Sequence, residues 1–278
     1  MPNRSPKIVI ISGGTSGMGR ATALERLARG DIVIVIGSDE SKGNALIAQA
    51  ANTNLRFVKA DLSSIAELRR VATLVAEQHD TVDALALFAN RLSPTRRVTA
   101  DGLEYTFALY YLSRYLLADY LRPLLDRSSD PVIINVAGVG NTAGGIEWGD
   151  PQLSRRYRLI RAQLQAGRAN DLAGVAFAER ASSKARYVLY HPGFTRSGGD
   201  QHPNPLVRNI IKVLARFFAR RVADSIRPIV GWIDQPPSAP LSAIDRGRPV
   251  DPSLRTLDRA DAARLVAYTE DLLTTGVG

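Results

Sequence analysis

The sequence contains no cysteine and only three histidines, at positions 79, 191 and 202. The absence of cysteine excludes disulfide bonds and thiolate chemistry, and it is typical of a reducing compartment. Three scattered histidines argue against a zinc site built from protein ligands. No apolar run reaches the length of a membrane span, and residues 1–7 lack the apolar core of a signal peptide. We therefore expect a cytoplasmic protein with no metal and no membrane span.

Lysine is also scarce: of the 36 basic residues five are lysine and 31 are arginine, and the formal net charge is +9. This charge indicates either an anionic partner or an arginine-rich composition spread over a solvated surface. No basic run is interleaved with stacking aromatic residues, and no nucleic-acid-binding motif occurs. We favour the second interpretation and expect no nucleic-acid partner.

The N-terminal region does contain a strand, a glycine turn and a helix. The apolar run 8–11 has the length of a buried strand, Gly13, Gly17 and Gly19 form the turn, and residues 21–29 have helical spacing. Glycines allow the backbone to approach a pyrophosphate, and the free N–H groups of the first helical turn point at it. The pattern predicts a dinucleotide site at this turn.

Strand and helix patterns alternate through the following residues. Apolar strand patterns occur at 31–36, 55–62, 83–90, 132–136 and 186–190. Ser64 and Glu67 form a capping box for one intervening helix, and two long helices are predicted over 101–125 and 152–181. This alternation is typical of an α/β fold with one doubly wound parallel sheet.

The spacing Gly13-x3-Gly17-x-Gly19 in this context resembles the short-chain dehydrogenase/reductase family. The segment His191-Pro-Gly-Phe-Thr-Arg-Ser197 is similar to the retinol-dehydrogenase and carbonyl-reductase branch of that family, and the resemblance covers about residues 7–200. It implies a small-molecule substrate and a nicotinamide cofactor.

The resemblance also implies the domain organisation. We expect one Rossmann-like domain over 1–278, in which 198–255 forms a lid and substrate-pocket region that includes a basic helix over 206–221. A membrane-surface role for that helix is the less favoured alternative. A homodimer or homotetramer through helices 101–125 and 152–181 is the association that the family implies.

The cofactor residues follow from the same resemblance. Asp61 and Leu62 would contact the adenine, Pro192 and Gly193 would shape the nicotinamide pocket, and Ser197 would lie near the carboxamide. The complete predicted set is Gly13, Thr15, Ser16, Gly17, Met18, Gly19, Ser38, Asp61, Leu62, Ala89, Pro192, Gly193 and Ser197.

The end of the second strand bears on the choice between NAD and NADP. An acidic residue there bonds the ribose hydroxyls and repels a 2′-phosphate. The usual acidic position is Gly37, the usual arginine of NADP enzymes is Ser38, and Asp39 follows one place later. We predict NADP(H), with NAD as the alternative.

The residues at the family's four catalytic positions are all replaced. The Tyr-x3-Lys pair falls on Gln163 and Gly167, the serine after the fifth strand falls on Gly138, and the asparagine of the long helix falls on Tyr110. No Tyr-x3-Lys pair occurs anywhere in the chain. The standard proton relay is therefore excluded, and loss of the lysine predicts weakened or lost cofactor binding.

Two side chains are candidate catalytic substitutes, Tyr110 and Gln163. Tyr110 could lean into the volume left by the missing serine and lysine, although we expect it to act as packing. Gln163 can hydrogen-bond a carbonyl but has no proton to give at neutral pH. The predicted substrate pocket consists of Gly138, Trp148 and Phe194.

Three functions remain open. The first is an atypical short-chain reductase that uses NADP(H) on a small hydrophobic carbonyl or alcohol metabolite. The second is a non-redox enzyme on the same scaffold, such as a cyclase, isomerase or lyase. The third is a catalytically inactive, cofactor-sensing or scaffold protein.

Overall fold

The computed structural model describes residues 5–180, 183–193 and 222–275, in which eight strands form one sheet. The strands are β1 (Ile8–Ser12), β2 (Ile32–Gly37), β3 (Leu55–Lys59), β4 (Ala84–Leu87), β5 (Val132–Val136), β6 (Arg186–His191), β7 (Leu241–Asp245) and β8 (Arg248–Pro249). Their order is β3-β2-β1-β4-β5-β6-β7-β8, and all neighbours are parallel except β7 and β8. The predicted α/β fold is confirmed.

Helices cover both faces of the sheet. They are α1 (Gly17–Ala28), α2 (Glu40–Ala50), α3 (Ile65–Gln78), α4 (Ser113–Tyr120), α5 (Arg122–Leu125), α6 (Leu159–Glu179), α7 (Val222–Asp234) and α8 (Arg259–Thr274), with a π-helical segment (Phe107–Leu112) before α4 and a 3₁₀ turn at Arg255–Leu257. One half of the predicted capping box is confirmed, because the Ser64 side chain accepts a hydrogen bond from the Glu67 amide at the start of α3. The other half is replaced: the Ser64 amide donates to the Asp61 oxygen, and the Glu67 carboxylate pairs with Arg70.

Coverage of both faces explains the apolar strands. In β1, Val9 and Ile11 pack in the cluster beneath α1, α2 and α7, whereas Ile10 packs in the cluster beneath the other helices. A strand that is buried on both sides needs apolar residues at successive positions. The parallel strands β1 to β7 end at one edge of the sheet, where a ligand site of such a fold is expected.

The helix predicted over 101–125 starts later and is interrupted. Asp101 accepts a hydrogen bond from the first amide of α3, and Gly102 has φ +74°, so the chain turns here. Glu104 then accepts hydrogen bonds from the amides two and three residues further on. Pro123, which has no amide hydrogen, lies at the start of the separate helix α5.

The second long helix, predicted over 152–181, is shorter at its start. Leu153 has φ +46°, and Asp150 accepts hydrogen bonds from the Ser154 and Arg155 amides, both at 2.9 Å. This turn keeps the chain out of a helical conformation until α6 begins at Leu159.

The C-terminal region contributes to the sheet. The predicted basic helix over 206–221 and the start of the predicted lid lie outside the described residues. The described part of that region, 222–255, contains α7, β7 and β8, which sequence reasoning missed. Strand β7 extends the sheet by pairing in parallel with β6.

Candidate functional site

The glycine turn after β1 packs against the end of β4. Gly13 has φ +70°, and a Cβ atom there would lie 2.7 Å from the Ala89 nitrogen. A Cβ atom on Gly19 would lie 2.5 Å from the Gly13 oxygen, and Gly17 has φ +54°. Contacts this short exclude any side chain, so the backbone itself requires glycine at these positions.

The first turn of α1 presents free amide groups. Ser16 precedes the helix in an extended conformation and makes no side-chain capping bond in the described structure. Thr15, Ser16 and Met18 lie on the same turn, as predicted. An uncapped helix start next to a glycine turn is an arrangement that binds phosphate groups.

The end of β2 is closed to an acidic side chain at its usual position. A Cβ atom on Gly37 would lie 2.9 Å from the Thr15 Cγ2 atom. Ser38 is exposed, and Asp39 accepts a hydrogen bond from the Lys42 amide and forms an ion pair with its Nζ at 3.2 Å. These Lys42 interactions lower the pKa of Asp39.

At the end of β3, Asp61 forms a local turn. Its Oδ1 atom accepts hydrogen bonds from the Ser63 amide at 2.9 Å and the Ser63 hydroxyl at 2.7 Å. Leu62 is buried in the core. The contact of Asp61 and Leu62 with an adenine ring stays a prediction.

Open space surrounds two of the four positions that the sequence analysis assigned to the family's catalytic residues. A Cβ atom on Gly138, after β5, or on Gly167, in α6, would meet nothing within 4 Å. Gln163 is paired instead: Asn90 Nδ2 donates to Gln163 Oε1 at 3.0 Å, and the reciprocal distance is 3.5 Å. This amide pair joins α6 to the end of β4 across the cleft.

Tyr110, the fourth of these assigned positions, is buried. Burial raises the pKa of Tyr110, and the nearby Arg114 guanidinium and the hydrogen bond from the Gly138 amide oppose that rise. The guanidinium carbon of Arg114 lies 4.7 Å from the centre of the Tyr110 ring. The structure therefore brings a phenol and a cation to the end of β5.

Arg114 itself is fully buried at the ends of β4 and β5. Its Nη1 atom donates to the Asn135 side chain and to the Val136 oxygen at 2.9 Å, and Nη2 donates to the Ala89 oxygen at 3.0 Å. No carboxylate forms an ion pair with it among the described residues. The charge is held by carbonyl groups instead.

Two asparagines continue this buried network. Asn135 Nδ2 donates to the Asn170 oxygen at 3.0 Å and to the Tyr187 hydroxyl at 2.9 Å. Asn170 Nδ2 in turn donates to the Tyr110 backbone oxygen at 2.7 Å. The π-helical segment changes the backbone bonding there, and the Asn170 amide satisfies that carbonyl.

Asp171 adds a buried acid beside the loop after β5. Burial raises its pKa to about 7, although the Gly140 amide, the Arg168 guanidinium and the Thr256 hydroxyl oppose the shift. The Gly140 amide donates to Asp171 Oδ2 at 3.4 Å.

The ends of β6 and β7 carry an acid–base pair, His191 and Asp245, whose Nδ1 and Oδ1 atoms are 2.7 Å apart. Pro192 is buried and Gly193 has φ +85°. Phe194 and Ser197, which we predicted in the substrate pocket and near the carboxamide, lie outside the described residues. Trp148 is half-buried, and the Arg264 guanidinium of α8 lies over its ring at 4.2 Å.

Comparison with known proteins supplies the family. The family model described as short chain dehydrogenase matches residues 7–149, just over half of the chain. The chain belongs to the short-chain dehydrogenase family.

Retinol dehydrogenase 13 of Homo sapiens is a similar member of this family. It is 29% identical over 206 residues, which cover 70% of this chain and 61% of the relative. The matched region thus spans less than two thirds of the relative's length. Retinol dehydrogenase 13 of Mus musculus gives the same identity and covers 60% of that protein.

Solved structures share the fold at lower identity. An uncharacterized protein from Mycobacterium paratuberculosis has a TM-score of 0.72 and 23% identity, covering 98% of this chain and 95% of that one. The Pseudomonas aeruginosa RhlG/NADP complex has a TM-score of 0.68 and 20% identity, covering 87% and 95% respectively.

In the described ranges, no group of three or more His, Asp or Glu side chains is placed to hold a metal ion. No helix in those ranges combines the length and apolar character needed to span a bilayer.

Sequence reasoning identified the family of this short-chain dehydrogenase, and its assignment of the catalytic positions stays a prediction. It missed Asn90, Arg114, Asp171 and Asp245. The one sequence signal that could have pointed to the missed charged residues is their position inside otherwise apolar helix or strand patterns. The partners of these residues come from distant parts of the chain.

Proposed function

We propose that this protein is an NADP(H)-dependent oxidoreductase that acts on a small hydrophobic carbonyl or alcohol metabolite, with Tyr110 as the proton donor. When bound, the cofactor supplies a hydride to the carbonyl carbon, and the chain must give a proton to the oxygen. The buried Tyr110 ring, with the Arg114 guanidinium carbon 4.7 Å from its centre at the same sheet edge as the glycine turn, is the observation that carries this proposal.

The assignment of NADP(H) as the cofactor rests on the steric fit of the glycine turn. The backbone around Gly13 and Gly19 leaves no room for side chains, as expected where a backbone closely approaches a pyrophosphate. An acidic residue at Gly37 would collide with Thr15, which favours the phosphorylated ribose of NADP(H). The NADP complex of RhlG supports a nicotinamide cofactor for the family.

The assignment of the proton donor rests on Tyr110 and Arg114. A phenol is protonated at neutral pH and can donate its proton. Burial raises the pKa of Tyr110 and so makes it a weaker acid, and the Arg114 guanidinium opposes that rise. The phenolate left behind would accept the hydrogen bond of the Gly138 amide and face the Arg114 guanidinium. Arg114 would thus supply the positive charge that Gly167 lacks.

Calorimetric titration with NADPH and then NADH tests the cofactor assignment. We expect NADPH to bind more tightly, and Ser38→Asp, an exposed change, to weaken NADPH binding far more than NADH binding because it places a negative charge beside the 2′-phosphate. Binding of neither cofactor would contradict the proposal.

Hydride transfer to an aldehyde and ketone panel tests the proton donor. Tyr110→Phe should lower turnover by about 10²–10⁴-fold while NADPH affinity stays within about twofold, because general acid catalysis contributes that much. Tyr111→Phe is the matched control, since Tyr111 is equally buried but bonds to Thr269 at 2.7 Å. Equal activity of wild type and Tyr110→Phe would exclude Tyr110 as the proton donor.

A second candidate, cofactor binding without turnover, is favoured by one observation. Gln163, the residue that the sequence analysis assigned to the family's catalytic tyrosine, is hydrogen-bonded to the Asn90 side chain at 3.0 Å. This candidate predicts tight NADPH binding with no hydride transfer to any member of the panel.

A further inference from the structure

Two exposed segments dock together beside the cleft, and we call them the arginine face: residues 91–98 and 154–161. The Tyr157 hydroxyl donates to the Ser93 oxygen at 2.6 Å. Arg96 Nε donates to the oxygen of Gln152, just before the second segment, at 3.1 Å. Residues that are about 60 positions apart in sequence therefore form one continuous surface.

The charged residues of this surface are all positive. Its residues include no aspartate or glutamate and seven arginines, Arg91, Arg96, Arg97, Arg155, Arg156, Arg158 and Arg161. All of these are exposed except Arg96, which is half-buried. A concentration of one charge sign on a surface is the electrostatic signature of an anionic partner.

Apolar side chains are exposed on the same surface. Four large apolar side chains are exposed in the described part of the chain, and three of them lie here: Leu92 at 61%, Val98 at 54% and Ile160 at 72%. Clustered exposed apolar residues within a charged surface indicate an interaction site.

Internal contacts offset part of this charge. Arg97 lies over the Tyr105 ring at 4.5 Å, and Arg161 is 3.5 Å from Glu147. The Asp150 carboxylate accepts a hydrogen bond from the Arg155 amide at 2.9 Å. Arg156 and Arg158 have no ion-pair partner in the ranges that the structure describes. Their charges are available to a ligand.

The arginine face also adjoins the candidate site through the Asn90–Gln163 pair. Asn90 directly precedes its first segment, and Gln163 lies two residues after its second. The amide pair formed by these two residues joins the elements that carry the face. A partner bound here would sit against the entrance to the candidate site.

We propose that the arginine face docks this protein onto an anionic lipid surface. Single exposed aliphatic side chains can enter the acyl boundary without a complementary groove, while guanidinium groups bind lipid phosphates. Each arginine near such a surface is worth about 1 kcal/mol. An acidic protein would satisfy the charges but would need matching pockets for the three aliphatic side chains.

Only the consequence of docking depends on the proposed function: a hydrophobic substrate would pass from the bilayer directly into the cleft. Vesicle binding itself needs neither cofactor nor turnover. A failure of docking is therefore distinguishable from a failure of the oxidoreductase assignment.

Co-sedimentation of the full chain with vesicles tests the proposal. We expect binding to phosphatidylcholine vesicles that contain about one third phosphatidylserine, no binding to pure phosphatidylcholine, and release by salt. The double substitution Arg156→Gln/Arg158→Gln should weaken partitioning about 25-fold, at about fivefold per arginine. The matched control Arg127→Gln/Arg227→Gln, which changes exposed arginines outside the face, should stay within about twofold.

A second variant isolates the apolar contribution. Leu92→Ser/Ile160→Ser should weaken binding about tenfold with unchanged salt dependence, because it removes apolar burial and leaves the charges. The proposal would be overturned if wild type did not bind anionic vesicles. It would also be overturned if Arg156→Gln/Arg158→Gln and Arg127→Gln/Arg227→Gln weakened vesicle binding equally. Capture by immobilised polyglutamate without vesicle binding would also overturn it and would assign the face to an acidic protein.

Discussion

Asp171 is held where its neutral form is favoured, and this makes stability depend on pH. Its pKa is about 7 in the folded chain, against an ordinary value of 3.8. Between those values only the unfolded chain loses the proton, so the free energy of unfolding falls by roughly 1.4 kcal/mol per pH unit as pH rises. Above pH 7 both states are deprotonated and this loss of stability stays constant. Asp171→Asn should therefore stabilise the protein at pH 8 and have little stabilising effect near pH 4.

Urea denaturation at both pH values measures this effect. Asp150→Asn is the control with the opposite sign, because hydrogen bonds from Ser154 and from the Arg155 amide lower the pKa of Asp150 to about 2. Its carboxylate contributes stability above pH 4 that is lost as pH falls toward 2, so the substitution should destabilise at pH 8. A gain from Asp171→Asn that is equal at pH 4 and pH 8 would show that Asp171 is not protonated by burial.

Site residues that one continuous segment requires could be predicted from the sequence. Site residues whose partners lie far away in the sequence could not. Gly13 and Gly19 could be assigned from spacing because the strand, turn and helix that require them are continuous in sequence, but the contact of Gly13 with Ala89, after β4, could not. Arg114 is held by Val136 and Ala89, which belong to two other strands, so its environment exists only once the sheet forms. Asn90 likewise meets Gln163 across 73 residues.

At the scale of elements, helix α6 and the loop after β5 retain space for the family's catalytic groups. A Cβ atom meets nothing within 4 Å at Gly138 or Gly167, so Gly138→Ser and Gly167→Lys should be accepted. Glycine inside a helix costs about 1 kcal/mol relative to good helix formers, and Gly167→Lys should therefore also stabilise α6 by roughly that amount. Adding Gln163→Tyr would complete the serine, tyrosine and lysine set.

In the Tyr110→Phe background, we expect this triple change to raise NADPH-dependent carbonyl reduction at least about 100-fold, because a positioned general acid contributes about 10²–10⁴. The measurement is NADPH oxidation on the same panel, with Gly167→Lys in the same background as the control. A folded variant that binds NADPH without a gain in rate over Tyr110→Phe would contradict this, and would indicate that Arg114 obstructs the pocket.

The alternation of elements could be predicted because burial on both faces gives the strands continuous apolar runs. The starts of the long helices could not, since Asp101 and Asp150 act as turn formers through backbone contacts that periodicity does not record. The helix α7 and strand β7 were missed for a related reason: Pro228 lies inside α7, and the five residues of β7 are too short for a clear pattern.

At the scale of the whole molecule, α8 lies on the helices through which we expected self-association. The Thr269 hydroxyl of α8 contacts the Tyr111 hydroxyl at 2.7 Å, and Arg259 pairs with Glu179 of α6 at 2.8 Å. Leu265 of α8 is buried against the same core. We propose that α8 takes the place of a partner subunit on this face.

Light scattering after size-exclusion chromatography tests that proposal. The full chain should have a monomer mass of 30.2 kDa, because α8 already covers the apolar surface of α6 and the π-helical segment. Leu265→Arg, which introduces a charge between α8 and the core, should detach α8 and produce dimers or larger species. Thr274→Ala, at the exposed end of α8, is the control and should remain monomeric. A full chain of twice the monomer mass that becomes monomeric on Leu265→Arg would show instead that α8 is part of a dimer interface.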